Sequence, residues 1–255
     1  MVGSAPSPCE VFNRYFSVDF ASSPEHKRSV YEVRYRVYCE EFRYEEREAF
    51  PDGQERDRYD ATSLHCLITH RQSGQPAGCV RLVPAGAAPG LELLPLEEHC
   101  ATSLDRDFIA GLALDRGTVC EISRLAVDGH FRRRAGESSS RYGAAGAALE
   151  ASPQEQRSFP LISVAAFLAA TALTDLAGRT NVFAMMEPFL PRMLERSGIR
   201  FQRAGADTDY HGIRAPYFVR TQDAVAGMRP ELTELYVSIN ARIRSQFGHA
   251  LKAAS

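Results

Sequence analysis

The stretch TVCEISRLAV, residues 118–127, decides the fold. Valine, isoleucine, leucine and alanine crowd it, which reads as a strand inside a sheet, yet Glu121 and Arg124 stand in its middle. A charge buried alone is costly, so each must find a partner or a cleft. Three positions apart, the two side chains project to opposite faces of a regular strand. Both reach one cleft only where a bulge intervenes, and a bulge is therefore predicted near Ser123.

Upstream, LHCLITH (64–70) and GCVRLVP (78–84) read as a hairpin across RQSGQPA, with Arg81 inside its second strand. YFSVDF (15–20) reads as a first strand after a loose arm, 1–12. Pro24 opens a helix on which Val30, Tyr31, Val33, Val37, Tyr38 and Phe42 share one arc. Arg34 falls in the middle of that arc and Arg36 well outside it; Arg34 either snorkels at the helix edge or meets carboxylates or an anionic ligand. The charged run YEEREAFPDGQERDRYD (44–60), which holds Asp57 and Asp60, reads as an irregular connection. Downstream, 103–113 suits a short helix and FRRR ends at Arg134. Residues 135–158, poor in large apolar side chains, read as a mobile insertion. A helix then starts with Ser158 as N-cap and Pro160 at its first position, followed by a buried strand NVFAMME (181–187), a short helix FLPRMLERSG, two strands in IRFQRAG and HGIRAPYFVR, and a terminal helix over 231–247. The order implies one α/β domain over residues 1–255.

The chain has 255 residues, 44% hydrophobic and 24% charged, with a formal net charge of −2. That balance provides no field for nucleic acid, so any anion site is local. Of the 30 basic residues only Lys27 and Lys252 are lysines, so one arginine more carries little signal. MVGSAPSPCEVFNRYF lacks the basic and apolar regions of a secretory leader, and LISVAAFLAATAL (161–173) is too short for a transmembrane segment; a cytoplasmic protein is expected. Six scattered cysteines without a CxxC read as reduced thiols. HExxH, P-loop and GxSxG patterns are absent, Gly143 and Gly146 follow no strand, and the histidines show no ligand spacing, so no metal site is expected. His65, His70 and His211 read as structural.

Arg34, Asp57, Asp60, Arg81, Glu121 and Arg124 remain as charges within or beside apolar elements, either as ion pairs at a sheet edge or as a network around a cleft. With Tyr38 and Tyr44 their spacing resembles the signature of N-acylhomoserine lactone synthases and N-acyl amino acid synthases. The text is more similar still to acyltransferases associated with PEP-CTERM/exosortase systems, in VRYRVYCEEFRYE, FPDGQERDRYD, EISRLAV with FRRR, Met186-Glu187-Pro188 and YHGIRAPYF. The resemblance runs from about residue 15 to 225. It implies a GNAT acyltransferase fold of α/β (α+β) class, a mixed central sheet flanked by helices and splayed between 118–127 and 181–187. It also implies a long-chain acyl group moved from the phosphopantetheine thioester of acyl carrier protein to the amine of an amino acid or similar small molecule, with no tightly bound cofactor. Two departures stand out: Tyr44 occupies a position where lactone synthases carry Trp, and the glycine-rich turn of acetyl-CoA enzymes is RRRAGE (132–137) here.

By this resemblance Glu121 and Arg124 are the catalytic pair. Glu121 acts as general base, directly or through water, or is a structural clamp if Arg34 and Arg124 hold it ionised. Tyr38, Tyr44, Arg34, Asp57, Asp60 and Arg81 surround the substrate. Asp57 and Asp60 either bind its ammonium or lock Arg34, and Arg81 or Arg124 takes a carboxylate. Arg132, Arg133 and Arg134 meet the donor's phosphate or the carrier protein, or form a solvated turn. Val119, Phe167, Phe183 and Met185 line an acyl tunnel or pack the core. Two other readings are a lactone synthase using S-adenosylmethionine and a non-catalytic module that binds acyl carrier protein.

Overall fold

A computed structural model describes residues 6–132 and 152–254. Arg133, Arg134 and most of the expected insertion lie outside the described residues. In chain order the elements are α1 (Pro8–Tyr15), β1 (Phe16–Phe20), α2 (Pro24–Arg34), β2 (Leu64–His70), β3 (Pro76–Pro84), α3 (Pro95–His99), α4 (Arg106–Gly111) and β4 (Val119–Val127). They continue with α5 (Pro153–Gln156), α6 (Pro160–Leu176), β5 (Asn181–Met186), α7 (Leu190–Glu195), β6 (Gln202–Arg203), β7 (Thr208–Asp209), β8 (Ile213–Arg220), α8 (Thr221–Gly227) and α9 (Pro230–Ala254). The strands form one sheet in the order β1-β2-β3-β4-β5-β8-β6, with β7 also on β8. Neighbours run antiparallel except β4 and β5, which are parallel.

Strand alternation sorts the interior into two faces. Cys66, Ile68, Val80, Leu82, Cys120 and Val127 enter the core beneath α6 and α9. On the other face Leu67, Cys79 and Ala126 meet Val30 and Val33 of α2 and Val37 just beyond it, while Val83, Val119 and Phe183 cluster with Tyr59 and Leu94. The six cysteines are free thiols and buried. Among the described residues no helix is long and apolar enough to cross a membrane.

Three local expectations change. The supposed arm contains α1: Ser7 accepts the Glu10 N–H and Glu10 accepts the Ser7 N–H, a reciprocal cap that starts a helix whose Phe12 is buried and stacks on Phe16 at 5.6 Å. Part of the insertion is α5, and Ser158 does not cap α6, because its hydroxyl donates to the Glu155 carbonyl while Phe159 takes the N-cap position. The first long helix does not keep one pitch. Over Tyr35–Glu41 it widens to a π-helix, and the Phe42 N–H reaches the Val37 carbonyl. The extra residue in the turn brings Val37, Tyr38 and Cys39 inside together.

Candidate functional site

β4 and β5 pair only at Val119↔Asn181, Cys120↔Val182 and Glu121↔Phe183. Beyond Glu121 they part, while β5 stays on β8 as far as Met186↔Ala215. On its other side β4 pairs Arg81↔Ser123 and Cys79↔Ala126, so three steps along β4 oppose two along β3. That is the predicted bulge, located at Arg124–Leu125, and Arg124 takes a left-handed φ of 50°. Before it, even-numbered Cys120 faces the α6 core; after it, odd-numbered Leu125 and Val127 do. Arg124 is thereby turned to the same cleft as Glu121. The Tyr38 hydroxyl donates to the Leu125 carbonyl at 3.1 Å, fastening the π-helical turn to the bulge.

Behind the cleft the charges form a closed lattice. Arg34 donates from Nε to Glu55 at 2.5 Å and from both Nη atoms to Asp60 at 2.7 and 3.0 Å. Arg81 donates to Asp57 at 2.7 Å, Asp60 at 3.0 Å and Ser123 at 3.1 Å. Arg124 reaches Glu55 at 3.1 Å, Glu45 at 3.3 Å and Asp57 at 3.5 Å. The Asp-x-x-Asp spacing has a local cause: Asp57 caps a 3₁₀ turn by accepting the Tyr59 N–H, and Asp60 accepts the Asp57 N–H in return. Burial works against the Glu55 carboxylate, but Arg34 and Arg124 hold it down to about 2; against the same burial, Arg34 and Arg81 hold Asp60 well below the usual range. Burial, reinforced by Arg34, lowers His65 to about 3 and keeps its ring neutral.

Glu121 is different. It is buried, among the described residues it forms no ion pair, and its Oε2 accepts one backbone N–H, from Leu96 at 2.8 Å. Burial pushes its carboxyl up to about 7 against that hydrogen bond and the longer-range pull of Arg81 and Arg124. Glu55 draws Arg34 and Arg124 to itself, and neither arginine forms an ion pair with Glu121. Glu121 lines a cleft of about 660 Å³, open mouth included, with Tyr38, Arg124, Met185, Tyr210, His211 and Arg214. Through Ile122, Phe167 and Ala184 the cleft adjoins an apolar cavity of about 460 Å³, open space included, between α6, β5 and β8. Thr171, Thr174 and Thr221 also line the cavity, but their hydroxyls bond to backbone carbonyls or to one another, as in Thr174–Thr221 at 2.7 Å.

Comparison with known proteins fits this geometry. Residues 33–140 match the family described as Acetyltransferase (GNAT) domain. TofI, solved in a ternary complex with an inhibitor and MTA, superposes with a TM-score of 0.56 at 20% identity, covering 86% of this chain and 99% of TofI. The chain has the GNAT fold. MesI, a CoA-dependent acyl-homoserine lactone synthase, gives 0.53 at 18% identity, with 88% of this chain and 95% of MesI covered. FeeM, an N-acyl amino acid synthase from uncultured soil microbes, gives 0.50 at 12% identity, over 84% of this chain and 94% of FeeM. No curated protein sequence matches the chain. The expected splay between the fourth and fifth strands of a GNAT sheet is the fork after Glu121.

Within the GNAT cleft several expected residues take other places. Arg81 is fully buried and outside the cleft lining, and Arg124, which lines the cleft, is engaged by three carboxylates. Asp57 and Asp60 serve as locks on arginines. Arg132 is buried against Glu41 and over the Phe42 ring. Of the four candidate tunnel residues Phe167 and Met185 line the cleft, whereas Val119 and Phe183 pack with Tyr59 and Val83. Tyr38 lines the cleft under the Arg124 guanidinium, and Tyr44 stands behind His211 at 5.2 Å between ring centres. Sequence reasoning missed Glu55, hidden in a run of charges without periodicity, and Arg214, Tyr210 and His211, read only as strand and turn. Among the described residues no cluster of His, Cys, Asp and Glu is placed to hold a metal.

Proposed function

We propose that the protein is an N-acyltransferase that moves a long-chain fatty acyl group from the phosphopantetheine thioester of acyl carrier protein to the amine of an amino acid or similar small molecule. By its motif resemblance it would do so in the cytoplasm, in a PEP-CTERM/exosortase setting. The observation that carries this reading is Glu121: a buried carboxyl whose proton affinity lies near neutrality, at the fork of the sheet and beside an apolar cavity.

A thioester is already activated, so the site needs to hold both reactants, accept a proton and stabilise an oxyanion. Glu121, ionised in a substantial fraction near pH 7, takes the proton from the attacking amine. The amine nitrogen bonds to the carbonyl carbon, the C–S bond breaks, and the proton passes to the departing thiolate. The β4 edge beyond Glu121, which β5 leaves, would supply N–H donors to the oxyanion. The cavity along α6 would take the acyl chain, because its threonines turn their hydroxyls to the protein and leave methyl groups on the wall.

With purified acyl carrier protein carrying a long acyl chain, Glu121→Gln is expected to lower turnover at least tenfold, the smaller end of what a general base contributes (~10²–10⁴) being softened by water, while carrier binding survives. Unchanged turnover removes Glu121 from the reaction. Mass spectrometry of lipid extracts from expressing cells names the product: a fatty acyl group on a free amino acid supports the reading, and an acyl lactone replaces it with the S-adenosylmethionine alternative.

A further inference from the structure

Glu55 is buried just after the Pro51-Asp52-Gly53 turn, and its N–H donates to the Tyr31 carbonyl of α2 at 3.1 Å. Its carboxylate is shared between two elements. Oε2 accepts from Arg34 Nε at 2.5 Å, and Oε1 accepts from Arg124 Nε at 3.2 Å and Nη2 at 3.1 Å. Arg34 has a second carboxylate, Asp60, on its Nη atoms. Arg124 has otherwise only Glu45 at 3.3 Å and Asp57 at 3.5 Å, and the bulge has turned it to the same cleft as Glu121. A buried carboxylate that ionises without a cation is costly, and a guanidinium within reach would relieve the cost. Arg124 is the cation that the fold sets beside Glu121, and Glu55 is what occupies it.

We infer that Glu55 is a positioning residue for acyl transfer: by holding Arg124 on the α2 side it keeps the guanidinium off Glu121 and leaves that carboxyl free to take a proton from the amine. The inference rests on the acyltransferase reading above and adds to it the group that governs its base. The groups facing Glu121 are Arg81 from β3, Cys120 and Arg124 from its own strand, Glu97 from α3, Cys100 just after α3 and Tyr210 from the β7–β8 turn, besides the Leu96 N–H. His211 and Arg214 line the same cleft. Arg81 is spent on Asp57 and Asp60, so Arg124 is the cation whose place Glu55 decides. Facing Glu55 itself are Arg34 from α2, Arg124 from β4, Cys79 from β3, and Cys39 and Glu45. Loss of the Glu55 charge has two effects of one sign. A negative charge leaves, and Arg124, reduced to its longer contacts, turns to Glu121; both favour the ionised carboxyl.

The test follows Glu121 directly, by carbon-13 NMR of protein labelled at the glutamate carboxyls, with its resonance assigned by its loss in Glu121→Gln. In wild type it is expected to titrate at about 7. In Glu55→Gln the midpoint is expected to fall to about 4–6, the effect of one opposite charge at close quarters, and the acid limb of kcat/KM to move down with it. Glu55→Asp, which keeps the charge, is expected to stay within about 1 pH unit of wild type. The double variant Glu55→Gln/Arg124→Gln, which has the net charge of wild type, is expected to return most of the way. An unmoved midpoint in folded Glu55→Gln overturns the inference, and so does a lowered midpoint that persists in the double variant. If Glu55→Gln does not fold, Arg124→Gln alone decides. A midpoint within about 1 pH unit of wild type shows Arg124 held off Glu121, and a larger rise shows the two already paired and overturns the inference. The titration needs no acyl donor, so a failure to acylate any amine removes the acyltransferase reading while the hold of Glu55 on Glu121 is still decided by NMR.

Discussion

On the α2 side of the sheet, Arg34, Glu55, Asp60, Arg81 and Arg124 fill a volume that apolar side chains would otherwise occupy; on the α6 side, Ile122, Phe167, Ala170, Val182 and Ala184 leave a volume unfilled. The first region is closed by charge, with each of these arginines answered by a carboxylate. A lattice of this kind adds little net stability over a packed apolar core, but it fixes geometry, because removal of one member strands the others. The second region is closed by nothing but its walls and has room for an apolar guest. Glu121 stands where the two meet and belongs to neither. The contrast assigns rigidity to the charged side and occupancy to the apolar side.

The largest expected effect comes from breaking the lattice at its centre. Glu55→Ala removes the carboxylate that Arg34 and Arg124 share, leaving Arg34 to Asp60 and Arg124 to the longer contacts with Glu45 and Asp57, and is expected to cost about 3–5 kcal/mol in denaturant unfolding. In the wild type the stabilisation from Glu55 is present above the ordinary carboxyl range and is lost as pH falls through about 2; the variant should therefore show a flatter acid limb. A lattice that tolerates this substitution within 1 kcal/mol is not what holds Arg124, and the comparison fails.

Glu121→Gln tests the boundary and has the opposite sign. A carboxyl raised to about 7 keeps its full contribution to stability below its ordinary value of 4.5 and loses it as pH rises through about 7. Glutamine is not subject to that loss, so at pH 8–9 the variant is expected to be more stable than wild type, by on the order of 3 kcal/mol at most. Below pH 4.5 the two should melt together. Thermal melts across that range check it, and equal melting at high pH would show that Glu121 is ionised without cost. On the apolar side, Phe167→Ala is expected to cost about 2 kcal/mol, less than the ~3–5 of an enclosed phenylalanine, because one side of the ring already borders space. A full-sized loss would mean that the cavity is core.

The element pattern was legible because it rests on local signals. Alternation in 64–70 and 78–84 and the apolar run of 181–187 act within a few residues. The bulge was legible too, since Glu121 and Arg124 could share a cleft in no other way. Glu55 was not, because its importance comes from Arg34 and Arg124, 21 and 69 positions away, meeting at one point. Val119 and Phe183 misled for a related reason: their hydrophobicity suited either side of the sheet, and strand parity with Glu121 places them among Tyr59 and Val83. Arg214 carries no sequence mark apart from its strand. Its setting depends on Tyr44, from the far side of the sequence, as well as on the neighbouring Tyr210.

The bulge in β4 also works as a shift of reading frame within the strand. Residues before Arg124 address the two sides of the sheet in one phase and residues after it in the other. A substitution at Arg124 therefore alters the chemistry of one side chain. Deletion of the same residue would restore a single phase and leave Leu125 and Val127 in the α6 core and Ala126 outside it, because the pairing Arg81↔Ser123 would then run unbroken to Cys79↔Ala126. The extra residue therefore serves the cleft alone: the core on either side of it would close as well without it.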